Sequence, residues 1–279
     1  MEALILHEIR QFVLNSPANR FAGTEMPFFE APIIGFARAD DPLFSAYKRI
    51  IGDFHLTPGE IMQQCWGTDL SFGGSVICWV LPISETTRLS NRRQTRIPSL
   101  EWALTREHGE TFNNLLRHHM TSYLISRDCQ AISPLLSEIW QPVDDPVAGL
   151  ASTWSERHAA YAAGLGTFSL NGGLITSRGM AHRCGSIITD LDLPPTPRPY
   201  DTPREYCLFF REGHCGKCIA RCPVGAFSTQ GHDKGKCLDY AYKTISKAFT
   251  EQYGIKAPGC GLCQTGTPCE AGIPEQNHD

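Results

Sequence analysis

Hydrophobic residues recur along the first part of the chain with helical spacing in some segments and as strand-like runs in others. Apolar side chains at helical intervals predict a helix over residues 3–14. The runs "PIIGFAR" at 32–38 and "SVICWVLPI" at 75–83 have the length and β-branched content of buried strands, and "DPLFSAYKRIIG" between them predicts a short helix. One apolar face predicts a single long helix over 101–126.

Further along, the pattern predicts one more helix, two more strands and a break in the chain. The alanine-rich "SERHAAYAAGLG" predicts a helix that glycine ends, and "GLITS" and "CGSIITDLDL" predict strands after it. Strands interleaved with helices indicate the α/β class. Five prolines within residues 193–203 favour an extended connector over a packed element. We therefore predict two domains, 1–195 and 196–279.

Composition narrows the classes of function. A length of 279 residues with 42% hydrophobic residues is enough for one large domain or two. The net charge of -4 gives no basic surface of the kind that nucleic-acid binders show, so we expect no nucleic-acid partner. The N-terminus, with its early Glu2, differs from a signal peptide, and no run approaches the roughly 20 apolar residues of a membrane span. We expect a cytoplasmic protein without membrane contact, in which clustered cysteines hold metal more often than disulfides.

Cysteines are concentrated in the last third of the chain. Cys215 and Cys218 form a C-x2-C pair, and Cys222 follows after three residues with Pro223 directly behind it. This spacing is typical of a loop that directs its thiolates at a 4Fe–4S cluster, while the cysteine before proline ligates a neighbouring cluster. The bacterial two-cluster pattern has one more cysteine just before the first pair, and Cys207 is the nearest substitute for it here.

A second group of cysteines completes a distorted two-cluster pattern. It repeats C-x2-C and ends with a further cysteine after five residues. Following the crossed ferredoxin pattern, we predict that one 4Fe–4S cluster is held by Cys207, Cys215, Cys218 and Cys269. We predict that the other is held by Cys222, Cys237, Cys260 and Cys263. A pair of structural zinc sites is the alternative, although zinc knuckles usually lie a dozen or more residues apart. Four cysteines have no such spacing and are expected to be inert core residues: Cys65, Cys78, Cys129 and Cys184.

The order of motifs around these cysteines resembles a known superfamily. The stretch "RHAAYAAGLGTFSLNGGLITSRGMAHRCGSIITDLDL" at 157–193, followed by a linker and the cysteine module, is similar to epoxyqueuosine reductases and reductive dehalogenases. Weaker similarity reaches back to "GFARADD" at 35–41. The resemblance implies an iron-sulfur, cobalamin-dependent oxidoreductase. It also implies a nitroreductase-like α+β domain that binds the corrinoid, followed by a small ferredoxin-like domain with two 4Fe–4S clusters.

The glycine-rich loop is the candidate corrinoid site that this resemblance implies. Glycines allow close backbone approach to a large flat cofactor, although an ordinary helix end and turn would carry the same glycines. The predicted cofactor-binding residues are Gly164, Leu165, Gly166, Thr167, Phe168, Asn171, Leu174, Ile175 and Thr176. We expect one face of the cobalt to be open toward a cavity near Leu150, Ser152 and Arg183.

One departure from the family concerns the proton donor. Epoxyqueuosine reductases place a catalytic aspartate seven residues before the arginine that corresponds to Arg157, and the residue here is Leu150, which cannot donate a proton. Arg183 and Tyr161 are the candidate replacements, with a salt-bridged arginine and a core tyrosine as the alternatives.

The resemblance leaves more than one function open. The first is a reductase of a small organic or nucleoside-like substrate, with electrons from a low-potential donor such as a flavodoxin or ferredoxin. The second is a non-catalytic corrinoid-binding or electron-transfer protein. The third is a ferredoxin-like domain joined to a flavin-binding one.

Overall fold

The first region of the chain is a four-stranded sheet between two layers of helices. The structure, a computed structural model, describes residues 1–70, 73–147 and 149–275. Up to the end of the sheet, the elements in chain order are α1 (Glu2–Asn15), β1 (Ile33–Arg38), α2 (Pro42–Ile50), α3 (Pro58–Trp66), β2 (Ser75–Pro82), α4 (Glu85–Arg92), α5 (Leu100–Ile125), β3 (Ala131–Ile132), β4 (Pro142–Asp145), β5 (Gly149–Ser152), α6 (Glu156–Ala162), β6 (Thr167–Phe168), β7 (Leu174–Ile175) and β8 (His182–Thr189).

The central sheet has the strand order β1-β2-β8-β3, and its pairs are antiparallel. All eight residues of β2 are buried because helices cover both faces. Alternate side chains of β2 pack in two separate cores, Ile77, Trp79 and Leu81 in one and Val76, Cys78 and Val80 in the other. The protein is therefore a mixed helix-and-sheet fold. The predicted α/β class is too specific, because helices that interleave with strands here connect antiparallel neighbours.

Local sequence signals explain where several helices begin and end. Thr57 and Glu60 form a reciprocal capping box at α3, which ends at Gly67 with a φ of 69°. Ser99 accepts a hydrogen bond from the backbone of Trp102 at the start of α5. The long helix and the first helix lie where the apolar spacing predicted them.

The proline-rich connector is extended, as predicted, but it is also packed against the sheet region. No helix or strand occurs from 191 to 200. The Thr196 backbone N–H donates to the Phe36 carbonyl at 2.9 Å, and the Thr196 hydroxyl accepts from the Phe36 N–H at 2.9 Å. Leu193 donates to the Ser75 hydroxyl in the same way. The expectation of an unpacked connector is corrected, because the connector hydrogen-bonds with residues of β1 and β2. The division at 195 and 196 stays a prediction.

The region after the connector consists of short elements. They are α7 (Leu208–Glu212), α8 (Lys217–Ala220), β9 (Phe227–Ser228), β10 (Gly231–His232), α9 (Lys234–Asp239), a π-helical turn (Tyr240–Ile245), α10 (Ser246–Tyr253) and a 3₁₀ turn (Leu262–Gln264). Ile245, Phe249 and Ile255 pack on Ala103 of α5. The cysteine-bearing region is thereby docked on the helical face of the first region. Within the described residues, no helix has the length and apolarity needed to cross a bilayer.

Candidate functional site

The eight clustered cysteines line two separate cavities, four in each. The first cysteine cavity, of about 20 Å³, is lined by Cys207, Cys215, Cys218 and Cys269. The second cysteine cavity, of about 190 Å³, is lined by Cys222, Cys237, Cys260 and Cys263. The structure thus brings together the same two sets that the spacing predicts. That these sets hold iron and sulfide stays a prediction.

Backbone conformation explains how the C-x2-C loop presents its thiols to one cavity. Cys215 has a φ of 89°, which is uncommon for a residue with a side chain, and Gly216 follows with a φ of 150°. This left-handed turn leads directly into α8, which carries Cys218. Cys207 stands at the beginning of α7 and lines the same cavity. The seven-residue loop between Cys207 and Cys215 therefore still brings both residues to one cavity.

Burial disfavours the thiolate form of several of the clustered cysteines. Burial, together with the neighbouring thiols, raises the pKa of Cys218 and Cys260 to about 11 and that of Cys269 to about 12. A bound metal would stabilise the thiolate form and so offset the free-energy cost of burying a charged sulfur. Among the described residues, no three His, Cys, Asp or Glu side chains converge as ligands of a single ion. Four thiols arranged around a cavity fit a multi-iron cluster in their number and placement.

Positively charged and hydrogen-bonding groups surround the second cysteine cavity. Arg106 and Arg183 lie in its wall, and an Arg106 guanidinium nitrogen donates to the Tyr242 hydroxyl at 3.1 Å. The Ala226 backbone N–H donates to the Cys222 sulfur at 3.2 Å. Hydrogen bonds to sulfur and nearby positive charge both favour an anionic cluster and tune its potential.

A third, polar cavity of about 380 Å³ lies beside the second cysteine cavity. The two share His182, Arg183 and Gln264 in their walls. The remaining polar and ionisable residues of the polar cavity are Glu110, Arg117, Ser152, Ser155, Glu156, Arg157 and Cys184. The polar cavity and the second cysteine cavity are therefore neighbours, and these three shared residues form the wall between them.

Glu110 pairs with two arginines of this wall. It accepts from Arg183 Nε at 2.7 Å and from Arg117 at 2.8 Å. Burial alone would raise the pKa of Glu110, but the two guanidiniums outweigh it and lower the pKa to about 2. Arg183 is thus salt-bridged, which was the alternative to a role in substrate binding, and it also lines both cavities. Its guanidinium is fixed in orientation by Glu110.

Two neighbouring residues of β8 form a hydrogen-bonded pair in the same wall. His182 Nε2 lies 2.8 Å from the Leu174 carbonyl, so this nitrogen carries the proton. Its Nδ1 then accepts from the Cys184 thiol at 3.5 Å. Burial lowers the pKa of His182 to about 4 and raises that of Cys184 to about 12, so both are neutral at pH 7. Cys184 is therefore a cavity residue, and the expectation of an inert core role fits Cys78, which is buried, but not the exposed Cys65.

The glycine-rich loop packs against the protein itself. A Cβ at Gly166 would collide with the Ile175 carbonyl, and one at Gly164 would lie 2.5 Å from the Pro197 carbonyl. The close backbone approach predicted for a corrinoid ring is thus made to β7 and to the connector. Substitution of Gly166 would disturb this packing directly. A loss of cofactor binding in such a variant would therefore not show that the loop contacts the cofactor.

The other predicted corrinoid residues are distributed among several environments. Leu174 lines the polar cavity, whereas Asn171 and Ile175 line the first cysteine cavity. Asn171 also donates to the Cys263 carbonyl at 2.9 Å, so it connects the loop to both cysteine sets. The rest are engaged within the protein: Leu165 in the core, Thr167 with the Tyr206 N–H, Phe168 with His158, and Thr176 with the Gly179 carbonyl.

The candidate replacements for the missing acid differ in position. Ser152 and Arg183 line the polar cavity, but Leu150 faces another surface cavity, where its carbonyl accepts from Lys234 at 2.8 Å. Tyr161 stacks on Tyr200 with ring centroids 5.1 Å apart and is not part of the polar cavity wall. The structure therefore supports the core alternative for Tyr161.

Sequence reasoning missed Glu110, Arg117, Glu156, His182 and Cys184. Glu110 and Arg117 are buried or half-buried charges seven residues apart on α5, two turns along one face. Charged residues on the apolar side of a predicted helix were the available signal. His182 and Cys184 alternate along a strand, which places them on one face.

Curated relatives agree with the resemblance seen in the sequence. Epoxyqueuosine reductases from Bacillus anthracis and Bacillus cereus are each 32% identical to this chain over 130 residues. The matched segment covers 44% of this chain, and the chain spans about a third (32%) of the length of these relatives. No protein-family model matches the chain.

Solved structures of reductases share the fold over most of the chain. An epoxyqueuosine reductase from Bacillus subtilis, with its catalytic aspartate loop swung out of the active site, has a TM-score of 0.52 at 17% identity and covers 100% of this chain and 67% of its own. An epoxyqueuosine reductase with an epoxyqueuosine-modified tRNA stem loop has a TM-score of 0.51 at 18% identity, covering 99% and 67%. A reductive dehalogenase, whose structure suggests a mechanism for B12-dependent dehalogenation, has a TM-score of 0.50 at 16% identity, covering 83% and 29%.

These comparisons confirm the predicted resemblance to epoxyqueuosine reductases and reductive dehalogenases as a similarity of sequence and fold. They do not support the expectation that excluded nucleic acid from charge balance alone, because a protein of the same fold was solved with a tRNA stem loop.

Proposed function

We propose that this chain is an iron-sulfur, corrinoid-dependent reductase of a small organic or nucleoside-like substrate. The observation that carries the proposal is the sorting of eight cysteines into two cavities of four, since each 4Fe–4S cluster takes four thiolates. The curated relatives are epoxyqueuosine reductases, and a dehalogenase of the same fold is described as B12-dependent. The first region would be the nitroreductase-like corrinoid-binding domain, and the region from residue 196 the ferredoxin-like domain.

The positions of the cavities support a direction for electron flow. Cys215 is exposed, which brings the first cysteine cavity within reach of a low-potential donor such as a flavodoxin or ferredoxin. The second cysteine cavity shares His182, Arg183 and Gln264 with the polar cavity. Electrons would therefore enter near the first set and leave near the second.

The polar cavity is the best candidate for the corrinoid and its substrate. Its wall offers hydroxyl, guanidinium and imidazole groups from Ser152, Arg157 and His182, which suit the polar periphery of a large cofactor. A bound corrinoid supplies reductive chemistry at low-valent cobalt. Arg183, held by Glu110, would present a fixed pair of donors to an anionic or halogen group of the substrate.

Metal analysis of anaerobically purified protein tests the clusters. We expect about eight irons and eight sulfides per chain, the content of two 4Fe–4S clusters. Cys207→Ser should lose iron from the first cluster, because that cavity would keep three thiols. Cys65→Ser is the matched control, since Cys65 is an exposed thiol outside both cavities. Zinc in place of iron, or unchanged cluster signals in Cys207→Ser, would contradict the assignment.

Absorption spectra and a turnover screen separate the remaining functions. Added cobalamin should bind with its own spectral change, whereas a flavin spectrum would favour the third function. The non-catalytic alternative is favoured by Leu150, which offers no proton at the family's acid position. The screen should contain halogenated, epoxide and nucleoside-like compounds and a tRNA stem loop. No turnover of any of them by reduced, corrinoid-loaded protein would support the non-catalytic alternative.

A further inference from the structure

The carboxyl group of Glu156 is buried in the polar cavity wall without a hydrogen bond. Glu156 is the first residue of α6, and both carboxyl oxygens are buried and accept none from any residue that the structure describes. Its Oε1 lies 3.4 Å from a guanidinium nitrogen of Arg117, close enough for attraction but outside hydrogen-bond geometry. The same guanidinium donates to Glu110 and to the Cys184 carbonyl, each at 2.8 Å. The hydrogen bonds of Arg117 therefore go to Glu110 and the Cys184 carbonyl rather than to Glu156.

The ionisable groups packed around Glu156 come from four elements. They are Glu110 and Arg117 of α5, Cys78 of β2, His182, Arg183 and Cys184 of β8, and Arg157 of α6. Glu110 is held ionised by two guanidiniums, and the arginines stay charged. His182 and both thiols stay neutral. None of these neighbours exchanges a proton easily near pH 7.

Burial raises the pKa of Glu156, and this effect outweighs Arg117 and Ser186, which favour the charged form. The amides at the start of α6 would favour a carboxylate, but none of them donates to it. Among the groups around the polar cavity, this carboxyl is thus the one suited to hold a proton at rest and release it when negative charge arrives nearby. A carboxylate left behind would be stabilised by Arg117.

We propose that Glu156 holds a proton in the resting protein and is the proton reservoir for the group reduced in the polar cavity, in the role that Leu150 cannot perform. The inference rests on the proposed reductase function. Replacing a C–X bond by a C–H bond consumes two electrons and one proton and releases X⁻. The low-potential donor supplies both electrons, and the Glu156 O–H supplies the proton. The carboxylate takes up a proton from water before the next turnover.

Infrared spectroscopy of the purified, cluster-containing protein tests the resting state without turnover. Wild type at pH 7 should show the C=O band of a protonated carboxyl that shifts on labelling with ¹³C-glutamate. Glu156→Gln should lack the band, whereas Glu138→Gln, which changes an exposed carboxylate, should keep it. If the label shows no protonated glutamate in wild type, or Glu156→Gln keeps the band, the inference is overturned. The wild-type measurement stands even if a variant folds poorly.

Kinetics then test the supply of the proton. Glu156→Gln should bind iron and corrinoid like wild type but turn over about 100-fold more slowly, the usual contribution of a positioned acid. Glu156→Asp should recover part of the rate and shift its pH profile. Equal rates for wild type and Glu156→Gln would overturn the inference and leave the reductase intact. If wild type takes up no corrinoid, the proposed function is refuted, and with it the supply of a proton by Glu156 during turnover. The infrared band would still show whether Glu156 is protonated in the resting protein.

Discussion

The regions before and after the connector are built in different ways. Before it, β2 is buried along all eight residues, and α5 runs for 26 residues across one face of the sheet. After it, the longest α-helix, α10, has 8 residues, and α8 has 4. Isolated helices of that length are marginal in water. The first region is thus held by its own apolar burial, whereas the short elements of the second depend on docking on the first.

Removing iron should separate the two regions most clearly. Anaerobic chelation leaves buried thiols without a compensating metal, so we expect amide exchange after residue 206 to accelerate at least about tenfold, as metal binding contributes to folding free energy. The amides of β2 and of the second half of α5, from Phe112 to Leu124, should stay protected, because these residues pack in cores that contain no thiol of either set. Exchange measured by mass spectrometry checks this. Equally faster exchange in β2 would contradict the predicted difference between the two regions. Adding iron and sulfide back should restore slow exchange after residue 206.

The contact through Glu270 should have the next largest effect. This carboxylate is 1% exposed, and it accepts from Arg92 Nε at 3.1 Å and from the Gly266 N–H at 2.6 Å. Glu270→Gln removes the charge between the two regions and should cost about 1.5–3 kcal/mol, the range for hydrogen bonds to charged groups. Urea unfolding measures the loss. Glu251→Gln on the exposed side of α10 is the control, and an equal midpoint for both variants would show that the contact contributes nothing.

The smallest effect concerns a buried histidine of the first region. His55 lies with its ring centroid 5.9 Å from that of Trp154, and neither ring nitrogen has a partner among the described residues. Burial lowers its pKa to about 4. The unfolded chain, with a pKa near 6.5, binds the proton first as pH falls, so stability is full above about pH 6.5 and declines toward pH 4.

Between pH 7 and 5.5 this linkage predicts a loss of about 1 kcal/mol in the free energy of unfolding. His55→Phe should flatten the dependence. Some slope should remain from His158, since burial lowers its pKa to about 3. Urea titrations at each pH, on samples with equal iron content, check the difference, and parallel slopes for the two proteins would contradict it.

Periodicity predicted the elements of the first region because their apolar faces are continuous along the chain. It placed α1, β1, β2 and α5 correctly within a residue or two. It did not give the sheet's pairing, since β1 and β2 are antiparallel neighbours joined through two helices rather than a tight turn. The glycines at 164 and 166 were equally ambiguous. Close backbone approach was correctly expected there, but sequence does not say whether the neighbour is a cofactor or another strand.

The sequence by itself predicted the grouping of the thiols, through its C-x2-C pairs, the cysteine before Pro223 and the crossed ferredoxin pattern. Only the tertiary structure decided the polar cavity. Glu110, Glu156 and Arg183 lie on α5, α6 and β8, far apart in sequence, and they meet because both helices pack on the same strand. Which carboxyl finds hydrogen-bond donors there depends on how these elements pack together. Arg117 and Arg183 satisfy Glu110 and leave Glu156 without a hydrogen bond, and no local pattern in the sequence carries that information.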